Sequence, residues 1–168
     1  HSYDMTLQAL VTALDARERE TGNHSQRVSM YSVVLAKEMG LSAARIQDLS
    51  TGALLHDIGK LGIPDSILLK PGDLTEEEWR LMRRHPEIGR DILKDIDFLE
   101  PAVGVVLNHH EHWDGSGYPS GLKGEGIPQG ARIFLVVDAF DTITTDRPYR
   151  AAMTFHEACE ELRRCRGT

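Results

Sequence analysis

Ile133-Phe134-Leu135-Val136-Val137-Asp138-Ala139-Phe140 is the run on which the fold class turns. Its five leading apolar residues suit a buried strand or a buried helix, since so short a run carries no period of its own. The flanking segments decide it. Leu7, Leu10, Val11 and Leu14 form an apolar stripe at helical spacing and predict a first helix over about Tyr3–Arg19. Thr21-Gly22-Asn23 interrupts it. A second helix runs to about Glu38, with Val28, Tyr31, Val34 and Leu35 inward and Gly40 as its stop. Ser42 caps a third that carries Ile46, Leu49, Ala53 and His56. Gly59 to Pro64 reads as a turn, followed by a loop through Pro71-Gly72. Thr75 with Glu78 is a capping box opening a fourth helix. His85 stands before Pro86, where helical geometry is disfavoured, so one helix breaks there and the next begins. Pro101 starts a helix reaching about Glu111, a glycine-rich loop spans Asp114 to Gly130, and Phe155–Arg164 is amphipathic. With helix on every side, Ala131 to Thr145 is helix as well. The chain is predicted to be an all-α bundle.

A length of 168 residues, with 40% hydrophobic and 27% charged, suits one globular domain over residues 1–168. The sequence begins within predicted helix at His1-Ser2-Tyr3 and stops at Arg166-Gly167-Thr168. A domain excised from a longer protein is therefore expected, its C-terminal end truncated and a regulatory sensor or receiver domain elsewhere in the full chain. No apolar run approaches the roughly 20 residues that cross a bilayer, so no membrane contact by this domain is expected. No signal-peptide pattern opens the chain. Cys159 and Cys165 lie on different faces of one helix, which argues against a disulfide between them and for a cytoplasmic location. A net charge of −7 argues against binding DNA.

The chemistry centres on His56-Asp57. An adjacent imidazole and carboxylate offer a nitrogen and a hard oxygen ligand to one ion, and a carboxylate can bridge two. Taken alone, such a dipeptide is usually a surface or capping feature. Here His24, His85, His109, His110 and Asp138 all fall at helix ends or on apolar helices. Asp138 interrupts the run quoted above, where an unpaired buried carboxylate costs several kcal/mol. It is either a salt-bridging residue inside the bundle or a metal ligand.

These residues resemble a known family. His24, His56-Asp57 and Asp138 follow the order and spacing of the HD phosphohydrolase superfamily. The strings HDIGKLGIP (56–64), HPEIG (85–89), HHEHWDGSGYP (109–119) and DRPYR (146–150) are similar to its HD-GYP subfamily. The likeness runs from Thr21 to Arg150. It implies an HD-domain helical bundle with a metal site in its core, holding two or three divalent ions, iron or manganese. The ligands it implies are Glu20, His24, His56, Asp57, His85, His109, His110 and Asp138. Glu20 at its position implies three ions, although it also belongs to the charged run Arg17-Glu18-Arg19-Glu20. Glu20, Asp57 and Asp138 supply three of the chain's negative charges, so part of its acidity is a site awaiting cations.

The resemblance also implies that Lys60 steadies charge on a phosphate, that Tyr118 borders the substrate, and that Arg147 and Arg150 grip a dinucleotide. The Gly117-Tyr118-Pro119 loop is further expected to meet a protein partner. The function implied is a phosphodiesterase that cuts cyclic di-GMP to pGpG, and onward to GMP, by attack of metal-activated hydroxide on phosphorus. Hydrolysis of another cyclic dinucleotide, such as cyclic GMP-AMP, or a non-catalytic cyclic-dinucleotide sensor are the alternatives. His112 is left off the metals, His1 and His156 have no partner pattern, and Trp79 and Trp113 read as packing residues. Asp114 is a turn residue, and Asp141 either supports the ligands or pairs with a base.

Overall fold

The computed structural model describes residues 2–18, 23–146 and 150–168. Among them lie nine α-helices: α1 (Ser2–Glu18), α2 (His24–Glu38), α3 (Ala43–Leu55), α4 (Asp65–Leu68), α5 (Glu76–Met82), α6 (His85–Leu93), α7 (Val103–Asn108), α8 (Gln129–Thr144) and α9 (Phe155–Arg164). Short 3-10 turns cover Ile58–Gly62, Glu100–Ala102 and Gly124–Gly126, and no strand occurs among the described residues.

The ambiguous run is helix. In α8, Ile133, Phe134, Val137 and Asp141 are buried at helical spacing, while Val136 turns outward. A strand would have buried alternate residues instead. Phe134, Asp138 and Asp141 recur at four and three residues, which places both carboxylates on the side where the aromatic ring packs.

Local capping sets several boundaries. The Ser42 hydroxyl accepts from the Arg45 N–H, and Thr75 with Glu78 forms the expected capping box. Thr154 with Glu157 forms a second one at α9. Other boundaries differ from expectation. The helix expected to reach Glu111 stops at Asn108, because side chains take its last carbonyls: the Asn108 amide donates to Gly104 and the His109 ring to Val106. The turn expected at Gly59–Pro64 is largely a 3-10 helix, and a further short helix, α4, follows it. Leu10 and Val34 were expected to face inward but are exposed, since α1 and α2 bury narrower stripes than their apolar residues could form.

α2 packs on α3 and α8, α3 on α7 and α8, and α6 on α7 and the 58–62 turn. One core cluster gathers Val28, Leu49, Ala53, Val105, Phe134 and Val137; a second gathers Val11, Leu55, Ile58, Leu93, Leu99 and Val106. Burying each such side chain contributes about 1.5–3 kcal/mol of transfer free energy. Leu55 directly precedes His56 and Val106 lies three residues before His109, so the core fixes the helix ends from which these histidines project. Gly52 lies so close to Val105 that a side chain there would collide with it.

Candidate metal centre

The helix ends around the Phe134 ring converge on one open pocket of about 460 Å³. Its wall includes His24, His56, Asp57, Lys60, His85, His109, His110, Tyr118 and Asp138. Residues scattered over more than 100 positions of sequence thus face one space. Glu20 and Arg147 lie outside the described residues.

Three imidazoles are set by one local device. His56, His85 and His109 each follow the end of a helix, where backbone carbonyls lack partners. Their Nδ1 atoms lie 2.8 Å from the carbonyls of Ala53, Met82 and Val106 respectively. A carbonyl only accepts, so each Nδ1 carries a hydrogen and each Nε2 faces the pocket, where a neutral ring offers its lone pair. His24 reaches the same state differently. Its Nδ1 donates to Asp141 at 2.7 Å, and Arg27 grips that carboxylate through two nitrogens at 2.7 and 2.9 Å. Asp141 therefore orients a histidine and pairs with a base at once. Despite its burial, these hydrogen bonds from His24 and Arg27 hold its pKa down at about 2.

Asp57 occupies the middle. Its Oδ1 lies 3.3 Å from His85 Nε2 and 3.8 Å from His109 Nε2. Its Oδ2 lies 3.0 Å from His56 Nε2 and 2.8 Å from Lys60 Nζ. On one side Asp57, His85, His109 and His110 bring donor atoms within 4.8 Å of one another, a grouping that could hold a metal ion. On the other side His24 Nε2 stands 3.3 Å from Asp138 Oδ1, and the His24 and His56 rings meet edge-on at 5.5 Å.

The donor chemistry fits a cation. His85 and His109 approach Nε2 to Nε2 at 3.2 Å although both hydrogens sit on Nδ1. Two neutral rings so placed aim lone pair at lone pair, which needs a positive charge in their midst. A proton is a poor candidate: burial pushes both pKa values down, that of His109 furthest, with His110 adding to the effect. Burial likewise brings His110 to about 4, with His85 contributing. His56 goes the other way, because the charge of Asp57 outweighs its burial. Asp57 is held well below the usual carboxylate range in spite of burial, by His56 and Lys60. The pocket thus sets the anionic Asp57 among the neutral nitrogens of His85, His109 and His110, a donor set suited to a divalent ion.

Lys60 Nζ bridges Asp57 at 2.8 Å and Glu18 at 3.0 Å. Burial works against its charge, yet these two carboxylates keep its pKa above the ordinary lysine value. Tyr118 stacks on His110, ring centroids 4.6 Å apart. Burial and the nearby Asp57 raise its hydroxyl pKa to about 12, so it stays protonated as a donor. Arg150 is exposed and donates to the Thr142 carbonyl, just beyond the pocket wall.

Several contributors went unread in the sequence. Glu111 is 1% exposed, and its two oxygens accept the Ser120 and Leu122 N–H groups at 2.7 and 2.9 Å. It thereby folds the Gly117-Tyr118-Pro119 loop back onto His110. Gly117 lies so close to the backbone of His110 and His112 that no side chain fits there. Glu18, Met82 and Thr142 also line the pocket. Trp79, expected to be a packing residue, is 44% exposed on that wall, because α5 packs only lightly on its surroundings. Spacing offered no signal for these, since each is defined by what folds against it. Asp114 does hold a turn, accepting the Ser116 N–H at 2.9 Å.

A helical domain that turns histidines from several helix ends onto one His-Asp pair is an HD domain. This chain belongs to the HD domain family, whose model matches residues 8–168. Within it, the chain is of the HD-GYP type. It is 43% identical over 164 residues to the cyclic di-GMP phosphodiesterase response regulator RpfG of Xanthomonas campestris pv. campestris, covering 96% of this chain and 43% of that protein. A cyclic di-GMP phosphodiesterase of Thermotoga maritima is 43% identical over 163 residues, covering 96% and 44%. The 3'3'-cGAMP-specific phosphodiesterase 2 of Vibrio cholerae is 42% identical over 160 residues, covering 94% and 31%. The chain therefore spans less than half the length of these relatives. Among solved structures, the HDG"Y"P protein Bd1817 of Bdellovibrio bacteriovorus superposes with a TM-score of 0.66 at 26% identity, covering 86% of this chain and 47% of that one.

Proposed function

We propose that this chain is a metal-dependent phosphodiesterase domain that hydrolyses cyclic di-GMP to pGpG, and with a second cut to GMP. One observation carries the reading: neutral imidazole lone pairs and the Asp57 carboxylate converge so closely that they require a cation among them. The residues that would hold metal are His24, His56, Asp57, His85, His109, His110 and Asp138, with Glu20 completing a third position. Asp57, with one oxygen towards each group of histidines, suits a bridging role. Iron or manganese matches the mixed nitrogen and oxygen donors. Bound divalent ions supply Lewis-acid polarisation of the phosphate and a water nucleophile available at neutral pH.

The rest falls to the protein. The backbone carbonyls behind His56, His85 and His109 fix their tautomers, and Asp141 does so for His24. Lys60 keeps its positive charge beside Asp57 and is positioned to offset negative charge building on a phosphate oxygen. Tyr118, held over His110, offers a hydroxyl donor and a ring at the pocket edge. Arg147 and Arg150 would help to grip the dinucleotide, as the resemblance of the DRPYR string to the HD-GYP type implies.

The names of the relatives favour cyclic di-GMP first and 3'3'-cGAMP second. A panel of both, plus mononucleotide phosphodiesters, assayed with Mn²⁺ or with Fe²⁺ under anaerobic conditions, separates them. Preferential conversion of cyclic di-GMP to pGpG is expected; binding without turnover would favour the sensor alternative. Asp57→Ala is expected to lose metal by elemental analysis and lower kcat by at least about 10³-fold, the scale of losing central transition-state stabilisation. Full activity in a metal-depleted Asp57→Ala protein would overturn the assignment. No described helix is long and apolar enough to cross a membrane, and the free Cys159 and Cys165 suit a reducing, cytoplasmic setting. A regulatory sensor or receiver domain and a protein docking on the Gly117-Tyr118-Pro119 loop complete the proposed setting.

A further inference from the structure

The end of α5 forms one continuous wall of the pocket. Trp79 and Met82 line it and His85 follows three residues on, so this wall runs from the rim inward to the histidines. Arg83 lies one turn after Trp79 on the same face and is exposed. Its guanidinium carbon stands 5.8 Å from the centre of the Trp79 ring and 5.6 Å from that of Tyr118. Tyr118 in turn stacks on His110. His110, Tyr118, Arg83 and Trp79 thus form a ladder of rings and a cation, from the metal-binding cluster out to the rim.

The charge balance along this wall is uneven. Lys60, the cation deeper in the pocket, is shared between Asp57 and Glu18. Arg27 is engaged by Asp141. Arg83 forms no ion pair with any described carboxylate. It is held by aromatic faces, which orient a guanidinium without neutralising it, and its donors stay open to an anion. Trp79 beside it is 44% exposed although it lines the pocket. An exposed aromatic face on a pocket wall, beside a guanidinium with open donors, is a surface on which a base can stack.

We propose that Arg83 and Trp79 form a second substrate subsite, in which Arg83 binds the phosphodiester that is not being cut and Trp79 stacks on a guanine. Deepening the functional reading above and resting on it, the subsite gives the pocket a way to require a dinucleotide. The cluster of histidines takes one phosphate; the ladder measures the reach to the other. Arg83 is a binding residue in this scheme, remote from the reacting phosphorus.

The test compares two substrates of the metal-loaded chain: cyclic di-GMP, and bis(p-nitrophenyl) phosphate, which carries one phosphate and no guanine. Arg83→Ala is expected to lower the ratio of kcat/KM for cyclic di-GMP over bis(p-nitrophenyl) phosphate about tenfold, the effect of losing a charge-assisted hydrogen bond, chiefly through KM. Arg83→Lys is expected to recover only part of it, since lysine keeps the charge and loses the fork. A merely structural role would lower both substrates together and leave the ratio in place, which would overturn the proposal. In a Trp113→Phe background Trp79 is the single indole, and rapid mixing with cyclic di-GMP is expected to quench its fluorescence before product appears. Absence of that quench in a chain that turns over cyclic di-GMP defeats the subsite while leaving the phosphodiesterase reading intact. A wild-type chain that neither cuts nor binds cyclic di-GMP sinks both.

Discussion

Gly59 stands where the His85 carbonyl and the Gly89 amide pass directly over its Cα. The neighbour is backbone, which cannot swing away as a side chain would. That approach locks the turn after Asp57 against the start of α6, and so sets Asp57 and His85 at their 3.3 Å separation. Gly59→Ala is expected to destabilise the fold by about 3 kcal/mol or more, through forced backbone displacement. Urea unfolding measures it, and metal content per folded chain should drop in parallel. A stable Gly59→Ala protein with full metal would show that this contact does not govern the site. At the same scale, Phe134 backs His56 and His109 at ring distances of 4.8 and 5.8 Å, so one apolar side chain serves as the floor for two imidazoles.

Between elements, the end of α1 is tied to the turn that carries Lys60. Arg17 donates to the carbonyls of Lys60 and Ile63 at 2.9 and 2.6 Å and pairs with Asp65 at 2.7 Å, while Glu18 holds the Lys60 ammonium. The N-terminal helix thereby clamps the segment after the His-Asp pair from outside. Arg17→Ala is expected to cost about 1–3 kcal/mol, the range for hydrogen bonds from a charged donor, with surface screening limiting its Asp65 component. It should also lower kcat by loosening Lys60. The urea midpoint and steady-state kinetics check the two halves; an unchanged midpoint with unchanged kcat would mean that α1 is a passive neighbour. Capping boxes at Thr75 and Thr154 were legible from spacing alone in the first case and went unread in the second, although the same T-x-x-E string is present in both.

For the molecule as a whole, the histidine cluster makes metal-free stability depend on pH. His85, His109 and His110 have pKa values lowered from 6.5 by burial, His110 to about 4, while that of His56 is raised. Below about 6.5 these four groups together therefore bind more protons in the unfolded chain than in the folded one. Stability falls as pH drops from about 6.5 towards about 4, by up to about 1.4 kcal/mol per pH unit for each net proton. Loss of the Asp141 ion pair adds to the decline from about pH 4 down to about 2, because its folded pKa lies below the unfolded value. Urea unfolding of chelator-treated protein at pH 7.5 and 5 tests this. A flat profile between those values would contradict neutral buried imidazoles in the apo fold.

The sequence by itself determined the helical class, most helix boundaries and which imidazoles and carboxylates stand at helix ends or on apolar helices. These rest on local physics: apolar period, capping, proline and glycine, and the improbability of so many histidines and a carboxylate such as Asp138 on apolar helices. Tertiary structure alone decided which atoms of those residues face one another. The Nδ1 hydrogens depend on carbonyls freed where helices end. Glu111 matters because a loop returns to it nine and eleven residues on. Trp79 stays in water because of what does not cover it. Spacing along a chain fixes a residue's own element, but neither the partner across a pocket nor the surface left bare, since those depend on packing among elements distant in sequence.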